Sequence, residues 1–195
     1  MWDQRYAIKD YIYGTEPNEF LHANAALLPK KKILCLADGE GRNSVYLAGL
    51  GYEVTAVDSS KVGLEKAQQL AKAKGVTITT VHADLADYDI GTQQWHGIVS
   101  IFCHVPPQLR RKLHRKIYPA LVAGGVLLLE AYTPKQLEFK TGGPSVAILT
   151  MQSADLIMEL SPLRLDLNQE IIRDVYEGSG HTGKGAVVQV IGMRS

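Results

Sequence analysis

The richest chemistry in the shortest stretch of this 195-residue chain is Asp38-Gly39-Glu40-Gly41-Arg42-Asn43-Ser44. Two glycines let a backbone approach a ligand closely, and a helix opening there presents free N–H donors. Asp38 and Glu40 flank the first glycine. At about 4 Å and an effective dielectric near 20, a unit-charge pair is worth roughly 4 kcal/mol, so this acidic mouth repels a pyrophosphate and attracts an ammonium. Asp58 closes a later β-rich run, where a carboxylate can accept from both hydroxyls of a ribose. His104 ends another apolar run just ahead of Pro106-Pro107, placed to accept a proton near neutral pH.

Such groups meet only if strands deliver them to one edge. Short β-rich runs alternate with helical patterns, which predicts a parallel sheet covered on both faces. Strands are expected at Lys32–Ala37, Tyr52–Val57, Val76–His82, Gly97–Phe102 and Val126–Glu130, the last entered by a turn at Gly124-Gly125. Helices are expected over about 43–50, 62–74, 107–122 and 153–160, with Val62, Ala67, Leu70 and Ala71 as the apolar face of the second. Arg164–Glu177 and Ala186–Met193 read as an antiparallel hairpin around a glycine-rich turn from Gly178 to Gly185. In open parallel sheets, ligands bind beyond the carboxyl ends of the strands, where the strand order reverses. The length suits one domain, residues 30–195. Residues 1–29, rich in aromatics including Trp2, Tyr6 and Tyr13, are expected to fold over it as a lid.

Two cofactors suit this geometry, a nicotinamide dinucleotide and S-adenosylmethionine. The acidic flank favours the second, and the third glycine of the dinucleotide fingerprint is missing. Residues 38–44 resemble the first motif of class I S-adenosylmethionine-dependent methyltransferases, and more closely that of the tellurite-resistance and thiol methyltransferase group, in which Arg-Asn follows the second glycine. Trp2-Asp-Gln-Arg-Tyr6 and Tyr13-Gly-Thr-Glu-Pro-Asn18 resemble that group's N-terminal segment. The resemblance implies a Rossmann-like, doubly wound α/β sheet of seven strands, order 3-2-1-4-5-7-6, the last strand antiparallel, with helices on both faces. It implies a cofactor site in which Asp38 and the backbone of Gly39, Glu40 and Gly41 hold the methionine end, with Arg42 and Asn43 beside them. Asp58 and Ser59 would hold the ribose, and Ala83, Asp84 and Leu85 the adenine. Phe102, Cys103 and His104 would face the sulfonium and the acceptor, with His104 as the catalytic candidate. The expected reaction is in-line methyl transfer to a small acceptor, a thiol, a metalloid or another small molecule, leaving S-adenosylhomocysteine. The alternatives are an NAD(P)-dependent oxidoreductase and a non-catalytic module that binds S-adenosylmethionine.

Other features narrow the field. A formal charge of +1 sets up no strong field toward nucleic acid or an anionic membrane. The cluster Arg110, Arg111, Lys112, His114, Arg115 and Lys116 reads as a solvated outer face, with only Tyr118 available to stack on a base. No apolar run approaches the roughly 20 residues needed to span a bilayer, and the first residues carry no apolar signal core. Cys35 and Cys103 lie within apolar runs and read as buried, reduced thiols, which favours the cytoplasm. The spacing of histidines and cysteines suggests no metal set. A monomer or homodimer is expected, with His181 touching the acceptor and Gly142-Gly143-Pro144 forming a loop over the cleft.

Overall fold

Consecutive residues of a strand point to opposite faces, and here both faces are apolar. A computed structural model of the chain describes residues 2–195. In β1 (Lys32–Leu36), Ile33 and Cys35 enter one core while Leu34 and Leu36 enter the other. β2 (Glu53–Asp58), β3 (Thr79–His82), β4 (Trp95–Ile101) and β5 (Leu121–Tyr132) extend this as a parallel sheet. β6 (Arg164–Glu177) and β7 (His181–Met193) close it as an antiparallel pair, and β7 lies against β5. The order is β3-β2-β1-β4-β5-β7-β6, as the resemblance implies.

Helices cover both faces. α1 (Trp2–Tyr6) and α2 (Glu19–Asn24) precede the sheet; α3 (Arg42–Gly49), α4 (Lys61–Ala73) and α5 (Pro107–Ala120) connect parallel strands; α6 (Gln136–Phe139) and α7 (Ser153–Glu159) lie between β5 and β6. Phe20, Leu47 and Leu70 fill one core, and Leu113, Ile117 and Leu156 the other. Local rules set the starts: the Ser60 hydroxyl accepts from Gly63 N–H at 3.0 Å to cap α4, and Pro107 occupies the first turn of α5.

Four expectations need correction. Gly124-Gly125 is no turn ahead of β5 but an irregularity inside it: the register jumps from Trp95↔Leu121 to Gly97↔Val126, and Arg194 bonds Gly124 N–H and Gly125 O across the bulge. The glycine-rich turn shrinks to residues 178–180, because β7 pairs from His181, opposite Glu177. Gly185 allows this, since a Cβ there would strike Val175 Cγ2 at 2.6 Å. On α4, Val62 is only half-buried and Lys66 is buried instead. On α5, Arg110 and His114 are buried rather than solvated. Both meet Glu159 of α7, Arg110 through bonds of 2.8 to 3.2 Å and His114 at 2.8 Å.

A buried polar network ties the N-terminal segment to the sheet. Asn18 caps α2 through Leu21 N–H, donates from Nδ2 to Glu130 and to Glu177 at 2.8 Å each, and donates its backbone N–H to Asn43. Arg173 donates to Glu130 at 2.6 Å and to Glu177 at 3.1 Å. Arg42 pairs with Glu177 at 2.5 Å, and Gln189 donates to Glu130 at 2.6 Å. One network thus joins α2, α3, β5, β6 and β7.

Asn18→Ala leaves two buried carboxylates each short of a donor and removes a cap. It should lower the unfolding free energy by roughly 3 kcal/mol in urea titration. Acid should act on the same contacts. Burial alone would raise Glu177, but His181, Arg42 and Arg173 outweigh it and hold the carboxyl at about 2. Burial likewise opposes His114 and Arg110 at Glu159, which also sits at about 2. Depressed carboxyls stabilise the fold above their unfolded value near 4.5, and that stabilisation disappears as pH falls through about 2. The urea midpoint should therefore decline steadily across that window.

Candidate active site

Parallel strands bring four chain segments to one edge, and a cavity of about 530 Å³ opens there. It lies at the carboxyl ends of β1 to β4, where the order reverses between β1 and β4. Ala37 and Asp38 follow β1, Asp58 ends β2 and Ser59 follows it, Asp84 and Leu85 follow β3, and Ile101 and Phe102 stand at the end of β4. Two of these residues are backbone-strained. Ala37 (φ 50°) and Phe102 (φ 52°) occupy the left-handed region without being glycine, as chains do where they turn sharply at a site.

The acidic end of the cavity is not as the sequence suggests. Asp38 is half-buried, and its only side-chain partner among the described residues is the Ser44 hydroxyl, which donates at 2.5 Å. Burial pushes its carboxyl up to about 7; the Ser44 bond pulls it down and nearby Asp58 adds to the rise. Glu40 lines the cavity, yet its charge is answered within the protein by Lys66, and it accepts from Ile12 N–H at 2.9 Å. One uncompensated carboxylate therefore flanks Gly39, not two. Asp58 accepts from Gly39 N–H and from Ser60 N–H at 2.8 Å each. Burial raises its pKa above the ordinary carboxylate value.

The other expected residues divide. Arg42, Asn43, Ser59, Asp84, Leu85, Phe102 and His104 lie on the cavity wall. Arg42 and Asn43, however, spend their side chains on Glu177 and on Asn18 N–H. Asp84 also caps its own turn through Ala86 N–H at 2.8 Å. Gly39, Gly41 and Ala83 are not on the wall. A Cβ on Gly39 would strike the Tyr6 hydroxyl at 2.6 Å, and one on Gly41 would strike Ala67 Cβ at 2.5 Å, so both glycines serve close approach within the protein. Cys103 points into the core beside Leu36, and burial pushes its thiol up to about 12, which leaves it unsuited to facing a cofactor.

His104 departs most from its expected role. Its Nδ1 lies 2.9 Å from Leu149 O, and Tyr132 N–H reaches Nε2 at 3.3 Å. A carbonyl can only accept and an N–H can only donate, so Nδ1 carries the proton and the Nε2 lone pair is taken. Burial also drives its pKa down to about 4. His104 is a buttress for the 145–150 segment, with no free lone pair for an acceptor's proton.

Sequence reasoning missed the clamp on the N-terminal segment. Lys66 Nζ donates to Ile8 O at 3.1 Å and Asp10 O at 2.7 Å while pairing with Glu40. Asp3 accepts from the Ser60 hydroxyl at 2.6 Å. Trp2, Arg5, Tyr6 and Tyr13 consequently stand on the cavity wall, Trp2 stacking on Tyr6 at 5.5 Å and Arg5 lying over both the Trp2 and Tyr13 rings. A polar residue on the apolar face of α4, Lys66, was the one available signal.

Residues 33–125 match a protein family described as a methyltransferase domain. An uncharacterized methyltransferase, YbaJ of Bacillus subtilis (strain 168), is 29% identical over 111 residues, covering 56% of this chain and 44% of that protein. A glycine/sarcosine N-methyltransferase of Aphanothece halophytica is 31% identical over 134 residues, covering 66% of this chain and 50% of that protein. The chain thus spans half or less of the curated relatives it matches. Among solved structures, one from work on the conversion of a disulfide bond into a thioacetal group during echinomycin biosynthesis superimposes with a TM-score of 0.80 at 17% identity, covering 100% of this chain and 90% of that one. TehB from Haemophilus influenzae superimposes with a TM-score of 0.71 at 18% identity, covering 100% and 66%. The fold is shared with these solved methyltransferase structures, and the family match to a methyltransferase domain covers just under half of the chain. The cofactor that family and fold imply is S-adenosylmethionine.

The cavity fits that molecule. Its volume lies within the range of small-molecule sites. Its wall carries the uncompensated Asp38 together with the aromatic rings of Trp2, Tyr6, Tyr13 and Phe102. The form of Asp38 that pairs with an ammonium is the carboxylate, and a bound cation lowers its pKa. Cofactor binding below about pH 7 should therefore release a proton and weaken as pH falls further. Calorimetry in buffers of differing ionisation enthalpy measures the proton count, and Asp38→Asn should abolish both effects.

Proposed function

We propose that this protein is an S-adenosylmethionine-dependent methyltransferase acting on a small acceptor by in-line transfer. The observation that carries the reading is the lone Asp38 carboxylate at the first crossover, beside a cavity walled by Tyr6, Tyr13 and Phe102. A dinucleotide would set its pyrophosphate against that half-buried charge, which costs several kcal/mol. A cofactor with an ammonium at one end and a sulfonium in the middle meets the opposite conditions.

When bound, S-adenosylmethionine supplies an electrophilic methyl group. The chain's share is placement and exclusion of water. Asp38 fixes the ammonium end, and Asp58 holds the ribose with the lone pairs left free by Gly39 and Ser60. Asp84 and Leu85 frame the adenine at the end of β3. Aromatic faces attract a sulfonium by about 0.5–2 kcal/mol each, and a dry wall suits a reaction whose positive charge is dispersed as it proceeds. The segment 2–29, clipped by Lys66 and Glu40, acts as the lid that aligns the two reactants.

The finer reading is a member of the tellurite-resistance and thiol methyltransferase group. It is supported by the placement of Trp2, Tyr6 and Tyr13 on the cavity wall and by the shared fold with TehB. The likeness to a glycine/sarcosine N-methyltransferase adds small amines to the acceptors worth assaying.

Calorimetry should show S-adenosylmethionine and S-adenosylhomocysteine binding and no comparable binding of NAD. Asp58→Ala should weaken cofactor binding by roughly 1.5–3 kcal/mol, because hydrogen bonds to a charged group are lost. Tight binding of NAD alone would end the reading. A methyl-transfer assay over thiols, metalloid oxyanions and small amines identifies the acceptor.

A further inference from the structure

His181 is the histidine on the cavity wall that keeps a nitrogen uncommitted. The residue is 5% exposed, yet the ring lines the cavity. Three aromatic residues fix its plane: Tyr13 at 4.5 Å, Phe102 edge-on at 4.6 Å and Tyr132 edge-on at 5.2 Å. Nδ1 is buried without a hydrogen-bond partner and faces Glu177 Oε2 at 3.9 Å, within ion-pair reach but too long for a hydrogen bond. Nε2 forms no hydrogen bond among the described residues and is not buried among the unpartnered atoms, so it is open to the cavity. Glu177 itself cannot wander. Arg42 holds it at 2.5 Å, Asn18 at 2.8 Å and Arg173 at 3.1 Å.

We infer that His181 is the group that takes the proton from the methyl acceptor, with Glu177 as the positioning residue that keeps the proton of the resting ring on Nδ1. This rests on the methyltransferase reading and adds to it a residue, a tautomer and an acceptor type, one that arrives protonated. The step balances without any further reagent. A lone pair of the acceptor atom forms the new bond to the methyl carbon, and the bond from that carbon to sulfur breaks with its electron pair going to sulfur. The proton leaving the acceptor atom goes to His181 Nε2 and afterwards to water.

The charges around the ring suit a base that resets. Arg42 from α3 and Arg5 from α1 disfavour the imidazolium, Glu177 from β6 favours it, and burial disfavours it most, so the ring rests neutral with its pKa below the ordinary value. His104, after β4, also faces this ring; Tyr13 from the N-terminal segment and Tyr132 from β5 face it as neutral phenols. A protonated ring would be stabilised by Glu177 for the moment of transfer and then lose its proton readily.

Two measurements on the full chain test this. Imidazole nitrogen chemical shifts, assigned with His181→Gln, should show the neutral ring protonated on Nδ1 with Nε2 bare. A proton on Nε2, or a charged ring at neutral pH, would overturn the inference whatever the turnover. In methyl transfer from S-adenosylmethionine to mercaptoethanol, His181→Gln should lower kcat about 10²–10⁴-fold near neutral pH. Cofactor affinity by calorimetry should stay within about twofold. The variant should regain rate as pH rises and the thiolate forms unaided, which a merely structural loss would not do. Unchanged kcat with normal cofactor binding sinks the inference alone; failure of the wild-type chain to bind S-adenosylmethionine sinks the methyltransferase reading.

Discussion

Glu177 and Glu130 are two carboxylates buried within one network, and most of the molecule's architecture answers to the need to satisfy them. An isolated buried carboxylate costs several kcal/mol, and its mutual repulsion with a second adds to that. Arg173 bridges the pair from β6, Arg42 reaches Glu177 from the first turn of α3, and Asn18 donates to both from the segment before β1. Each donor comes from a different element. Satisfying the acids therefore fixes where the N-terminal segment crosses the sheet, how α3 is rotated and where β6 and β7 meet. The cavity is what remains between these parts. Its wall includes Arg42, Asn43 and His181, all members or neighbours of the network, so the loop after β1 and the start of β7 share one support.

The same network explains what was legible in the sequence. Strand positions follow from apolar runs, and the sheet order follows from the alternation of strand and helix; both are local or nearly local patterns. Asp38 and Asp58 were legible because strand ends in parallel sheets have fixed meaning. The partner of a buried charge is not local. Lys66 reads as one more lysine on an amphipathic helix until the fold brings Glu40 and the carbonyls of Ile8 and Asp10 around it. Glu130 ends an apolar strand, and only the arrival of Gln189, Arg173 and Asn18 makes its charge tenable at full burial.

The two histidines show the limit most sharply. His104 has the better sequence context, at the end of a buried strand before two prolines, and it stands on the cavity wall as expected. Context cannot say whether its nitrogens are free, and the fold occupies both. His181 lies in a stretch whose glycines read as a turn. Gly183 and Gly185 instead let β7 continue beneath Thr141 and Val175, and this extension sets His181 across from Glu177. Composition identified the glycines correctly and their purpose wrongly, because a glycine that frees the backbone for a turn and one that admits a neighbour's side chain look alike in sequence.

Charge is distributed along the cavity with a direction. Asp38 and Asp58 stand at the carboxyl ends of β1 and β2, while Arg5 comes from the N-terminal segment and the rings of His104 and His181 are neutral. A cationic ligand entering the cavity is drawn to the carboxylates and turned away from Arg5. That polarity orients an extended ligand before any hydrogen bond forms, and it leaves the side of Arg5 for a partner that is neutral or anionic. Burial strengthens both halves, since fields weaken less in a cavity walled by Tyr6, Tyr13 and Phe102 than in water. It also raises the cost of leaving Asp38 charged and unpaired, which is why this carboxyl sits near neutrality until a cation arrives.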